Sequence, residues 1–153
     1  MPDIASPLDS LVRDVELLCL DAGNTMVFLD HARLAQGCGR AGFLTTGEAL
    51  RVAEGEAKLA LDRGALETFD WSESGLASAR SWGNFVGTAL RRAGLPAKAI
   101  PTLLGSLWYE HRARNLWYLV PEGMRAALLA LRATGARIAV VSNSEGKLEA
   151  LLE

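Results

Sequence analysis

The sequence predicts an α/β protein: strands of a parallel sheet interrupted by a long, all-helical insert. Residues 15–20, VELLCL, form a nearly unbroken apolar run, which is how a strand buried on both faces of a parallel sheet reads. Residues 137–142, RIAVVS, form a second such run. Between them, residues 31 to about 114 contain no convincing strand, and that contrast defines the architecture.

Taken in order, residues 1–14 are polar, carry two prolines and predict a loosely ordered N-terminus. The first strand leads into Asp21 and the turn Ala22-Gly23-Asn24-Thr25. Residues 29–115 form the expected helical subdomain. Segments 45–64, 75–94 and 96–114 each suit a helix, separated by Gly, Pro and Ser/Asp clusters. Beyond it, PEGMRAALLALRATGA (residues 121–136) sets Met124, Leu128 and Leu131 on one helical stripe, with Pro121 at the start and Gly135 past the end. Helix, glycine, strand, the polar turn SNSEG and a new helix follow one another as α/β units do. Residues 15–28 and 116–153 therefore make a partial α/β core.

The chain has 153 residues, half of them apolar and 22% charged, which suits one compact domain or a core with an inserted subdomain. A net charge of −2 gives no reason to expect a nucleic-acid or anionic-membrane partner. No apolar run approaches the roughly 18 residues needed to cross a bilayer. The opening residues lack the basic and apolar regions of a signal peptide, so the expected location is cytoplasmic. Cys19 and Cys38 suggest no disulfide framework; Cys19, inside the first strand, is expected to be a buried thiol in a reducing compartment. With two histidines and no Cys/His cluster, a zinc site is not expected.

The end of a parallel strand is where open α/β sheets put their ligands, and Asp21 stands there. Gly23 and Asn24 tolerate unusual backbone angles, so the turn can bend sharply and aim its amides inward, while Thr25 adds a hydroxyl. This suits an anionic small-molecule substrate gripped by backbone N–H groups beside a nucleophilic or metal-binding carboxylate. Ser142 repeats the logic at the second strand, where the following helix offers its N-terminus to an anion. Side by side, Asp21 and Ser142 would hold one phosphoryl group.

Structural roles compete at each position. Asp21 can end a strand at the surface or cap the turn. Ser142 and Glu145 fit a capping box. Asn24 can serve a left-handed turn, and Asn143 reads as a turn residue more readily than as a substrate contact. His31 and Arg33 either face the pocket or begin a solvated helix. Trp82, Phe85, Trp108, Tyr109 and Trp117 are expected to pack the insert and its hinge rather than line an aromatic pocket. His111, Arg112 and Arg114 read as a solvated helix end before they read as an anion contact.

LCLDAGNT (residues 18–25) and IAVVSN (residues 138–143) resemble the first two motifs of the haloacid dehalogenase (HAD) superfamily: a strand followed by Asp-x-Asp-x-Thr, then a strand ending in Ser or Thr. The 121 positions between Asp21 and Ser142, filled by helices, look like the cap inserted after the first motif in the dehalogenase-like branch. The resemblance implies an incomplete HAD-like Rossmann core of parallel strands with an inserted helical cap. It implies a phosphatase working through an aspartyl-phosphate on Asp21. Mg²⁺ would be held by Asp21, the Gly23 carbonyl and a later acidic motif. Thr25 would buttress the loop, and Ser142 would hydrogen-bond the phosphoryl oxygens; Gly23, Asn24, Thr25 and Asn143 complete the expected phosphate-binding set.

Two departures qualify the resemblance. Gly23 stands where the family's phosphatases carry a second Asp, the acid/base, whose loss typically lowers the rate by about 10²–10⁴. The family's lysine and acidic metal motifs do not follow Ser142, and Lys147 is no obvious stand-in. The expectation is a fragment, inert alone, completed by a missing C-terminal half or by a homodimer partner. A halide-displacing dehalogenase and a non-catalytic binding or assembly module are the alternatives.

Overall fold

The computed structural model describes residue 12 and residues 14–142. Asn143, the capping box through Glu145, the helix carrying Lys147 and nearly all of the expected loose N-terminus lie outside the described residues. In chain order the elements are β1 (Leu17–Asp21), β2 (Phe28–Leu29), α1 (His31–Arg40), α2 (Gly47–Asp62), α3 (Ala77–Arg92), a 3₁₀ turn (Ala97–Ala99), α4 (Ile100–Ala113), β3 (Trp117–Leu119), α5 (Met124–Ala133) and β4 (Arg137–Val141). The protein is mixed helix and strand with a small parallel sheet. It divides into two compact units, Asp30–Leu116 and the residues on either side of that segment.

In the flanking unit β1 and β4 pair in parallel, from Leu17 opposite Arg137 to Asp21 opposite Val141. The ladder continues at both ends, through Arg137 N–H to the Glu16 carbonyl (3.1 Å) and Ala22 N–H to the Val141 carbonyl (3.2 Å). β2 and β3 pair antiparallel, with Phe28 opposite Leu119 and Leu29 opposite Trp117. These are strands of two and three residues, too short to carry the periodic signal by which strands are read from sequence. α5 begins after Gly123 (φ +85°) and leaves through Gly135 (φ +90°), backbone angles that favour glycine. Met124, Leu128 and Leu131 are its half-buried residues, as the stripe predicts, yet no residue of α5 is fully buried.

The apolar runs predicted strands covered on both faces, and here the structure differs. Leu17 is 50% exposed and Val141 58%, and Cys19, expected to be buried, is exposed. The reason is supply. The described residues of this unit provide two parallel strands and one helix, too little to cover both faces of a parallel sheet.

The Asp30–Leu116 unit holds four helices on a core of its own, with Leu34, Leu50, Leu90, Ile100, Leu103, Leu104 and Leu107 almost wholly removed from water. α2 and α3 fall in segments that read as helical, and α4 fills most of a third. α1 begins at His31, where a helix start was one of the two readings, but its extent was not legible, because HARLAQGCGR carries two glycines that disfavour helix. It is fixed instead by its cap, where the Asp30 carboxylate accepts the Arg33 amide (2.9 Å), and by packing. A Cβ at Gly37 would stand 2.5 Å from Leu107 Cδ2, so the bare backbone is what lets Leu107 approach. Gly83 does the same for Trp71: a Cβ there would lie 2.6 Å from its indole nitrogen. Trp71, Trp82 and Trp108 form an aromatic nucleus with centroid separations of 5.1–6.0 Å.

Candidate functional site

Asp21 is the last residue of β1 and is exposed. Among the described residues its carboxylate has no hydrogen-bond or ion-pair partner, so it does not cap the turn that follows. Ala22, next in line, is fully buried, and its carbonyl accepts three amides: Thr25 (3.3 Å), Met26 (2.8 Å) and Val27 (2.9 Å). The Asn24 amide donates to the Val27 carbonyl at 2.8 Å, and Asn24 takes the left-handed conformation (φ +58°) that its side chain tolerates. Met26 and Val27, 2% and 3% exposed, anchor the far side of the turn.

This geometry corrects the expected cradle. The amides of Ala22, Asn24, Thr25, Met26 and Val27 are all spent on carbonyls, leaving Gly23 as the one turn residue whose amide and carbonyl stand outside these bonds. The sequence indicates that the turn is tight, but not that three of its amides close on a single oxygen. The Thr25 side chain is exposed, and among the described residues its hydroxyl makes no hydrogen bond; the Ala22 carbonyl does the buttressing expected of Thr25. Ala22 is the residue that sequence reasoning missed. Its only signal is small size next to a strand-end carboxylate. Gly23 does not use its freedom, since its φ is not positive and a Cβ would meet nothing within 4 Å.

Ser142 is half-buried and follows Val141, the register partner of Asp21. The two sequence-predicted residues thus sit at the same C-terminal edge of the sheet, on neighbouring strands that run about 4.8 Å apart. Gly23, Asn24 and Thr25 lie in the loop that leaves that edge, and Asn143 is outside the described residues.

Of the remaining candidates all but Trp117 belong to the helical unit, where His31 and Arg33 are occupied. His31 Nε2 lies 2.7 Å from Glu54 Oε2, and Lys58 Nζ 2.9 Å from Glu54 Oε1, a triad around a buried carboxylate. The Arg33 guanidinium donates to the carbonyls of Asn115 (3.0 Å), Arg114 (2.9 Å) and Glu110 (3.4 Å), satisfying the end of α4. Arg112 and Arg114 are exposed, but His111 is buried, contrary to the solvated helix end expected of it. The buried stripe of α4 runs through Leu104, Leu107, Trp108 and His111, which leaves Tyr109 off it and 78% exposed instead of packed. Phe85 and Trp117 are half-buried. Cys38 has no exposed surface, and burial pushes its thiol up to about 11.

For a metal, the described residues hold no group of three or more His, Cys, Asp or Glu. The unbonded Asp21 carboxylate and the Gly23 carbonyl are nonetheless hard oxygen donors of the kind Mg²⁺ takes, together with water and substrate phosphate. No family model and no curated protein matches the chain. Among the described residues no helix is long and apolar enough to cross a membrane.

Proposed function

We propose that the chain carries the nucleophile and phosphoryl-binding strand ends of a HAD-like hydrolase, with the Asp30–Leu116 unit as its inserted cap and a small phosphorylated metabolite as its cytoplasmic substrate. One observation supports this most: the parallel register sets an exposed carboxylate without a hydrogen-bonding partner beside the strand end that leads to Ser142. Two strands need neighbours before such a site is whole, supplied by further residues of the polypeptide or by a second copy.

In this reading a carboxylate oxygen of Asp21 attacks phosphorus and the bond to the leaving oxygen breaks. Water then attacks the aspartyl-phosphate at phosphorus, freeing phosphate and restoring the carboxylate. The Gly23 amide and the Ser142 hydroxyl donate to phosphoryl oxygens. A Mg²⁺ ion, held by the Asp21 carboxylate and the Gly23 carbonyl, supplies charge neutralisation when bound. No side chain at position 23 protonates the leaving oxygen, so leaving groups that need no proton are favoured.

The test is Mg²⁺-dependent phosphate release by the polypeptide its gene encodes, across a panel of small phosphate esters. Asp21→Asn abolishes it, with a loss of about 10³-fold or more, on the scale of removing a covalent nucleophile. Gly23→Asp, for which the open space is available, raises the rate on poor leaving groups by about 10²–10⁴. Metal-independent halide release from small 2-haloacids, lost in Asp21→Asn, would shift the reading to a dehalogenase. Neither activity would leave a binding or assembly module.

A further inference from the structure

The carboxylate at the C-terminal edge of the sheet stands alone. Asp21 is exposed, and among the described residues no group bonds to its carboxylate or pairs with it. Arg137, the charged residue of β4, lies opposite Leu17 at the far end of the ladder, roughly 13 Å along the strands. Two positions after Asp21, Gly23 offers no side chain, and a Cβ built there would meet nothing within 4 Å. Of the turn amides, only that of Gly23 stands outside the bonds to backbone carbonyls.

These features act unequally on the two steps of a covalent phosphoryl transfer. In the first step a carboxylate oxygen of Asp21 bonds to phosphorus, and the bond from phosphorus to the donor oxygen breaks. In an acyl phosphate that oxygen belongs to a carboxylate, which leaves as a stable anion and needs no proton. In an alkyl phosphate it belongs to an alcohol, which leaves poorly unless an acid protonates it. In the second step water attacks the same phosphorus, the bond to the Asp21 oxygen breaks, and a proton must be taken from the water. A positioned base contributes about 10²–10⁴ to such a step, and position 23 has none to offer. The Asp21 carboxylate cannot serve either, because it carries the phosphoryl group.

We infer that Asp21 is charged by acyl phosphates and that its discharge is slow, so the phosphorylated form of the chain accumulates. This deepens the proposed function and rests on Asp21 being its nucleophile. Capture follows from the exposed carboxylate, and retention from the missing side chain at position 23.

The experiment uses acetyl phosphate as the acyl phosphate, with the polypeptide the gene encodes, in buffer containing Mg²⁺. Acetate and phosphate are followed from the first turnover, and the charged protein is then desalted and its discharge followed by intact mass. The expected result is a burst of about one acetate per chain, with phosphate lagging behind it. Gly23→Asp, which puts a carboxylate where the structure leaves room, discharges about 10²–10⁴-fold faster. Asp21→Asn gives neither burst nor adduct; the native side chain has no partner among the described residues, so the fold is kept. Phosphate that appears in step with acetate, and is lost in Asp21→Asn, overturns the inference and leaves the nucleophile standing. Discharge no faster in Gly23→Asp also overturns it, since position 23 is then not what delays the water. A simple alkyl phosphate that charges Asp21 as readily as acetyl phosphate overturns the choice of donor. No adduct and no release that depends on Asp21 overturns the inference and the proposed function together.

Discussion

The two units differ in what holds them. The Asp30–Leu116 unit closes four helices over a core of its own, from Leu34 through Leu50 and Leu90 to Leu107. The flanking unit carries a carboxylate poised for chemistry on a sheet whose apolar side chains, Leu17, Val140 and Val141, are 37–58% exposed. A helix bundle can satisfy its backbone bonds locally and bury one stripe per helix, so four suffice. A parallel sheet must be covered on two faces and along two edges, so two strands do not. Stability is concentrated in one unit and candidate chemistry in the other.

Substitutions sharpen that contrast. Leu104→Ala, in the helical core, is expected to lower stability by about 2–5 kcal/mol in denaturant titration, whereas Val141→Ala stays within about 0.5 kcal/mol. Equal costs would mean that the sheet is covered after all. Glycine gives a smaller version of the same test. Gly83→Ala forces a Cβ to within 2.6 Å of the Trp71 indole nitrogen. It should cost about 1–3 kcal/mol, while Gly23→Ala, with nothing within 4 Å, costs next to nothing.

The cysteines report the difference through chemistry. Exposed Cys19 should react with a thiol reagent at mildly alkaline pH on mixing, and buried Cys38 only on unfolding. The Cys38 thiol is raised to about 11 in the folded state, against about 8.5 in an unfolded chain. The unfolded chain therefore loses this proton first. The contribution of Cys38 to stability is complete below about pH 8.5 and fades as pH climbs towards 11, a pH dependence that Cys38→Ala removes.

The long elements were legible because their signals are periodic: the apolar runs of β1 and β4, and the stripe Met124, Leu128, Leu131 on α5. The extent of α1 was hidden by Gly37 and Gly39, whose helix depends on the Asp30 cap and on contact with Leu107. β2 and β3 were too short to read. At the site, residue types placed Asp21 and Ser142 at strand ends, and the register brings those ends together. The sequence did not reveal that the Ala22 carbonyl collects the turn amides, because backbone direction leaves no mark in side-chain type. The burial of His111 and the exposure of Cys19 and Tyr109 depend on which elements are present to cover them, which no single segment encodes.

The decisive measurement is phosphoryl capture on Asp21. The polypeptide its gene encodes is mixed with acetyl phosphate and Mg²⁺, quenched in acid and mapped by mass spectrometry. An acid-stable phosphoryl adduct on the peptide bearing Asp21, absent in Asp21→Asn and strengthened by Mg²⁺, is the predicted result. No adduct, or one that persists in Asp21→Asn, would contradict the account.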